Sequence, residues 1–266
     1  MKMKNRNDRY IEVMDTTLRD GEQTPGVAFT PAEKLGIVRL LINHLHADRL
    51  EIGSARVSEE RQAIADILAW ADHRGCAERM EILGFVDNGK SAHWIQDAGG
   101  RVLNLLAKGS ERHCRIQLRK EPAQHRAEVC AEIEKAAALG LSVNVYLEDW
   151  SNGMINSLPY VFEFLHRLSE MEIERVMLPD SPVERIMLPD TLGIMTPDCM
   201  TRYLDWIYSA FPDVRLDFHG HNDYGLVTAN SLAAVRAGGS GIHTSINGLG
   251  ERTGNQPLAE LVVSVD

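Results

Sequence analysis

The hydrophobic and polar positions of this chain repeat one unit. A short apolar or alternating run ends in polar residues, and a longer stretch with helical spacing follows. Tyr10–Asp15 is the first such run, followed by a polar loop from Thr16 to Gly26. Thr30-Pro31-Ala32-Glu33 then opens a helix that is expected to reach about Leu45. It has a threonine cap, proline at the first position and glutamate three residues after the threonine. Further strands are expected at 48–53, 79–85, 101–106, 141–147, within 173–189, at 214–218 and at 241–246. Helices are expected over 58–74, from 90, over 122–139, 159–169, 197–210 and 226–237, and from 256.

Eight strand–helix repeats in a chain of 266 residues imply parallel βαβ units closed into an α/β fold, the (β/α)8 TIM barrel. A doubly wound open sheet is the alternative. It commonly has fewer strands and a Gly-rich fingerprint after the first, and Gly21-Glu22-Gln23 is not that fingerprint. One segment breaks the pattern. Glu174-Arg-Val-Met-Leu-Pro-Asp180 recurs as Glu184-Arg-Ile-Met-Leu-Pro-Asp190. Both copies have strand character, but a closed eight-stranded barrel has room for one sixth strand. The second copy leads into Thr191 and is expected in the barrel, with the first looped out or forming extra extended chain.

A hydrophobic content of 44% suits one large core, so residues 1–266 are read as a single catalytic barrel domain. The net charge of −10 argues against nucleic acid as a partner, because phosphate backbones call for a basic stripe. Cys76, Cys114, Cys130 and Cys199 are widely spaced, without a C-x-x-C, and read as reduced intracellular thiols. Cys130 falls in a helical pattern and reads as packing. No apolar run reaches the roughly 18 residues of a membrane span, and the N-terminus lacks a signal peptide's apolar stretch. No membrane association and a cytoplasmic location are therefore expected.

In a barrel, the chemistry gathers where the C-terminal ends of the strands meet their loops. The polar residues at those ends are Asp15, Arg19, Asp20, Glu51, Ser54, Glu148, Asp190, Thr191, His219, His221, Asn247, Glu251 and Asn255. Asp217, His219 and His221 alternate along a strand and so share a face. Two histidines in a bare H-x-H are more often plain loop residues. With Asp20, however, they make an O, N, N set that suits Mg, Mn, Fe or Zn and leaves positions open for substrate. Arg19, always charged, would stabilise negative charge on a carbonyl oxygen, or else form an ion pair with Glu22 or Asp15. Thr191 could donate to a carboxylate. The glycine-dense loop 247–255 lets backbone approach a ligand closely.

Asp15-Thr-Thr-Leu-Arg-Asp-Gly-Glu-Gln23, His219-Gly-His-Asn-Asp223 and Asn247-Gly-Leu-Gly-Glu-Arg-Thr-Gly-Asn255 resemble the signature motifs of one metal-dependent barrel family. Its members include 2-isopropylmalate, homocitrate and citramalate synthases and hydroxymethylglutaryl-CoA lyase. The resemblance spans nearly the whole chain and implies an acyltransferase. A 2-oxo acid would chelate a divalent metal ion, acetyl-CoA would add to its keto carbon, and the thioester would be hydrolysed. It further implies Asp20, His219 and His221 as metal ligands, Asn255 as a further ligand, and Arg19 on the keto oxygen. Thr191 would bind the substrate carboxylate, and Glu148 would sit near the reacting centre. Asp15 and Gln23 would support the site from behind the ligands.

Ser54-Ala-Arg-Val-Ser58, Glu81-Ile-Leu-Gly-Phe85, Leu103-Asn-Leu-Leu106 and Tyr146-Leu-Glu-Asp-Trp-Ser-Asn-Gly153 are most similar to the citramalate-forming type, which uses pyruvate. Leu83, Leu106 and Tyr146 at strand ends would then admit a methyl group and crowd out an isopropyl group. Ordinary barrel packing explains them equally well. The partners implied are acetyl-CoA and a small 2-oxo acid, with a homodimer in the full-length enzyme. Synthases of this kind carry further C-terminal subdomains and a regulatory domain. The chain ends at Asp266, so it is expected to be a catalytic barrel without them, able to bind metal and oxo acid but with full turnover in doubt. If the first copy of the repeat held the sixth strand, Asp180 and Ser181 would replace Asp190 and Thr191.

Overall fold

A computed structural model describes residues 10–265 apart from 56, 58, 59 and 172–182. Its strands are β1 (Glu12–Asp15), β2 (Arg49–Ser54), β3 (Met80–Phe85), β4 (Val102–Lys108), β5 (Ser142–Glu148), β6 (Val183–Asp190), β7 (Leu216–Gly220) and β8 (Gly241–Thr244). They pair in sequence order, and β8 closes onto β1 through Glu12↔Gly241 to Asp15↔Thr244. All pairings are parallel, which makes the expected TIM barrel. The second copy of the repeat forms β6, as expected; the first lies outside the described residues.

The helices are α1 (Pro31–Asn43), α2 (Arg61–His73), α3 (Lys90–Asp97), α4 (Pro122–Ala138), α5 (Trp150–Asn156), α6 (Leu158–Ser169), α7 (Pro197–Ala210), α8 (Val227–Ala237) and α9 (Leu258–Ser264). Helix α1 starts with the capping box read from Thr30 and Glu33. Helix α6 shows how the outer ring packs. Tyr160, Val161, Phe164, Leu165 and Leu168 recur at helical spacing and are all buried. Burying each such Val, Leu or Phe side chain contributes about 1.5–3 kcal/mol. They belong to one core cluster with the outward residues of the strands, among them Leu105, Val145, Leu147 and Leu188. Helix α5 was not expected. Asp149 turns the chain into it at φ +65°, and its carboxylate accepts from Ser110 Oγ (2.6 Å) and Asn152 Nδ2 (2.7 Å).

The other parity of each strand faces the barrel interior, which is layered. At the N-terminal end Arg49 bonds to Glu12, Glu81 and Asp217, while Arg185 bonds to Glu12 and Asp217. Charges this deep are tolerated only because each meets an opposite one. Above them lies a small apolar cluster of Met14, Leu83, Tyr146 and Met187, packed against Phe85 and Leu106. Beside it, Asn144 donates to Asn104, and Asn104 donates to Glu51. The interior therefore rises from a charged floor to a mouth at the strands' C-terminal ends. Cys130 packs in the outer core as expected, and all four cysteines are unpaired. Among the described residues no helix is long and apolar enough to cross a membrane.

Candidate metal centre at the barrel mouth

After β1 the chain turns back over the mouth. The carbonyl of Thr16 accepts from the amides of Arg19, Asp20 and Gly21 at 3.1, 2.9 and 3.1 Å. Asp15 Oδ1 accepts from the Thr17 amide (2.9 Å), and Thr17 Oγ1 accepts from the Ile246 amide (2.8 Å), pinning the turn to the end of β8. Arg19 and Asp20 are thus delivered by backbone geometry. Two strands away, on the far side of β8, β7 carries His219, and His221 follows it, bridged to Asn255 in an antiparallel β-bridge. Asp217 shares their face, as the alternation predicts, but lies in the charged floor.

Asp20, His219 and His221 bring one ligand atom each within 4.8 Å of one another, and all three are buried. Asp20 Oδ2 is 3.1 Å from His219 Nε2 and 3.9 Å from His221 Nε2, and it accepts from Asn255 Nδ2 at 2.9 Å. Asp20 Oδ1 and Asn255 Oδ1 are buried acceptors without a hydrogen-bond donor. Leaving such an atom unsatisfied costs about 1–3 kcal/mol. A cation among them would meet both acceptors, and a carboxylate with two imidazoles suits a divalent ion.

Electrostatics keep Asp20 and His221 in ligand form. Burial alone would raise the Asp20 carboxyl, but Arg19 and the two histidines outweigh it and hold it well below the usual carboxylate range. Burial, with His219 adding to it, pushes His221 down to about 3. Burial raises Asp15 to about 6, against the opposing bonds from Thr17. Asp15 supports the turn that carries Arg19 and Asp20.

Arg19 is ion-paired, but with neither Glu22 nor Asp15. Its Nε donates to Glu51 Oε2 at 2.5 Å, its Nη1 lies 3.6 Å from Asp20 Oδ1, and its guanidinium stands 5.9 Å over the Tyr146 ring. Glu22 instead bonds to Lys34 at 2.5 Å. Glu51 also accepts from Thr16 Oγ1 and Asn104 Nδ2, at 2.9 Å each.

Above the centre opens a cavity of about 450 Å³, lined by Arg19, Asp20, Leu83, Leu106, Tyr146, Glu148, Thr191, His219 and His221 among others. Leu83, Leu106 and Tyr146 both line it and belong to the interior apolar cluster. Thr191 Oγ1 accepts from the Asp149 amide at 2.9 Å, and Glu148 is paired with Lys108. Gln23, at the end of the 3-10 turn Gly21–Gln23, is exposed and is among the residues lining the cavity. The glycine-dense loop also closes on itself. A Cβ on Gly250 would meet the Asn255 amide at 2.6 Å, and one on Gly254 would meet the Gly248 carbonyl oxygen at 2.1 Å.

Two interior residues, Glu51 and His243, received no role from the sequence. Glu51 shares β2 with Arg49 and Ser54, and His243 shares β8 with Thr244, so neither stands out from its neighbours. The period-2 alternation of β7 and β8 is the signal that places His243 beside His219.

The HMGL-like family model matches residues 10–266. A Methanopyrus kandleri protein named for (R)-citramalate synthase, CimA, is 36% identical over 96% of this chain and 47% of its own length. A 2-isopropylmalate synthase of Pyrococcus abyssi is 32% identical over 97% of this chain and 51% of its own. The chain thus spans about half the length of these relatives. The HMG-CoA lyase of Brucella melitensis superposes with a TM-score of 0.74 at 19% identity, over 97% of this chain and 90% of that one. The structural likeness extends to the fold, and the sequence match runs through every strand of the barrel: the chain belongs to the HMGL-like family.

Proposed function

We propose that this barrel is an acyltransferase domain that condenses acetyl-CoA with a small 2-oxo acid, pyruvate above others, giving (R)-citramalate and CoA. The observation that carries this reading is the buried cluster of Asp20, His219 and His221 at the floor of a cavity with Arg19 beside it. The names of the relatives fit the same class of condensation.

In this reading Asp20, His219 and His221 hold a divalent ion, Mg, Mn or Zn, with Asn255 Oδ1 as a further oxygen. The bound ion supplies Lewis acidity toward the oxo acid. Arg19 stays protonated, held by Glu51 and Asp20, and stabilises charge developing on the keto oxygen. Thr191 accepts through its oxygen from Asp149, which leaves its O–H proton for the substrate carboxylate. Glu148, tied to Lys108, stands at the cavity wall near the reacting carbon. Leu83, Leu106 and Tyr146 surround the substrate methyl group. A methyl proton of acetyl-CoA passes to a base, the resulting enolate carbon bonds to the keto carbon while the C=O electron pair moves to the keto oxygen, and that oxygen takes up a proton as the new hydroxyl. Water then cleaves the thioester, leaving a carboxylate and releasing CoA as a thiol.

A thiol-release assay with acetyl-CoA tests this. CoA release should be faster with pyruvate than with 2-oxoisovalerate. The reverse order would favour a 2-isopropylmalate synthase. No release with either, despite bound metal and oxo acid, would favour a barrel that binds without completing the reaction.

A further inference from the structure

A third imidazole stands behind the centre. His243, on β8, is 1% exposed and its Nδ1 lies 3.3 Å from Nδ1 of His219. The two rings meet edge to face, with centroids 5.4 Å apart and planes at 71°. Two imidazole nitrogens at this distance attract only if one carries a proton and the other a lone pair.

The surroundings decide which. His243 Nε2 is 3.6 Å from Asp217 Oδ2. That is an electrostatic contact, too long for a direct hydrogen bond. Asp217 stays ionised because Arg49 and Arg185 both bond to it. A lone pair on Nε2 would face this carboxylate and be repelled, so the proton sits on Nε2 and the lone pair on Nδ1. Asp217 can reach this position because residue 241 is glycine, where a Cβ would lie 2.6 Å from Asp217 Oδ1. The Tyr146 hydroxyl is 3.1 Å from His243 Nδ1, but it has another acceptor in Glu51 Oε2 at 3.4 Å. With an ion held among Asp20, His219 and His221, the Nε2 lone pair of His219 would face that ion and its proton would sit on Nδ1, pointing at the Nδ1 lone pair of His243.

We propose that His243 is a positioning residue that fixes the tautomer and ring orientation of His219 for metal binding, with Asp217 orienting His243 in turn. This rests on the reading of Asp20, His219 and His221 as ligands. It differs from the more usual arrangement, in which a carboxylate or carbonyl accepts directly from the ligating imidazole. Here a histidine is interposed between ligand and carboxylate.

The test is a Co(II) titration of the metal-free protein, read by the visible absorption of the bound ion. His243→Leu should weaken Co(II) binding by about 10–100-fold and change the absorption. His243→Asn places an amide oxygen near the Nδ1 position and should recover most of the loss. Wild-type affinity and absorption in His243→Leu would overturn the inference, as would equal losses in both variants. Nitrogen NMR of histidine-labelled wild-type protein loaded with Zn needs no substitution. It should find the proton on Nε2 of His243 and on Nδ1 of His219, and a proton on Nδ1 of His243 would overturn the inference. A wild-type protein that takes up no ion would defeat the metal reading itself, and this inference with it.

Discussion

Arg19 Nε and Glu51 Oε2 lie 2.5 Å apart inside the barrel mouth, on the β1–α1 turn and on β2. The pair fixes the guanidinium between Asp20 and the cavity. Arg19, Asn104 and Thr16 together make Glu51 the anchor of this side of the site. Glu51→Gln should therefore leave a buried cation short of its partner, at a stability cost of about 3 kcal/mol. Urea unfolding checks this, and CoA release should fall with it because Arg19 loses its orientation.

The apolar wall makes a prediction about substrate choice. Leu83→Ala or Leu106→Ala enlarges the space around the substrate methyl group. Rates with 2-oxoisovalerate relative to pyruvate should rise by roughly 10–100-fold, the range that small apolar differences produce. An unchanged ratio would assign these residues to packing alone.

The loop closing the site depends on its glycines. Gly250→Ala would drive a Cβ into the Asn255 amide and displace it from Asp20. Metal affinity, measured by calorimetric titration, should drop while the unfolding midpoint shifts little, since the loop lies outside the main core.

Acid should weaken the fold through His125. This residue is 1% exposed, and its Nε2 accepts from the Lys108 amide at 3.0 Å. Burial, with the charge of Lys120 adding to it, pushes its pKa down to about 4. The folded value is below the unfolded one of about 6.5. The stability it contributes is therefore present above pH 6.5 and lost as pH falls toward 4, by up to about 3 kcal/mol. His125→Gln retains an acceptor and should flatten this part of the stability profile in denaturant titrations between pH 7 and 4.

The barrel is legible in the sequence because each strand and helix keeps its own period, and the Thr30 cap even marks where α1 begins. Helix α5 is not, since seven residues with Gly153 in the middle are too short to show a period. The 174–190 repeat offers two equal strands, and local pattern alone cannot choose between them; the continuation into Thr191 favours the second. At the site, Asp20, His219 and His221 stand out because polar residues cluster at strand ends. Glu51 and His243 do not. Glu51 is one of many polar residues near strand ends and His243 sits beside Thr244, so their roles come from register. The pairs Asp217↔Gly241 and Phe218↔Ile242 bring His243 level with His219. The Arg19–Glu51 contact likewise needs the closure of β1 beside β2.

The central claim is that Asp20, His219 and His221 hold a divalent ion. It is tested most directly by metal titration of the wild-type protein and of His219→Ala, with unfolding followed in parallel. Wild-type protein should bind a single divalent ion per chain. His219→Ala should remain folded and lose more than about 100-fold in affinity. Equal metal content and affinity in the two proteins would contradict the account.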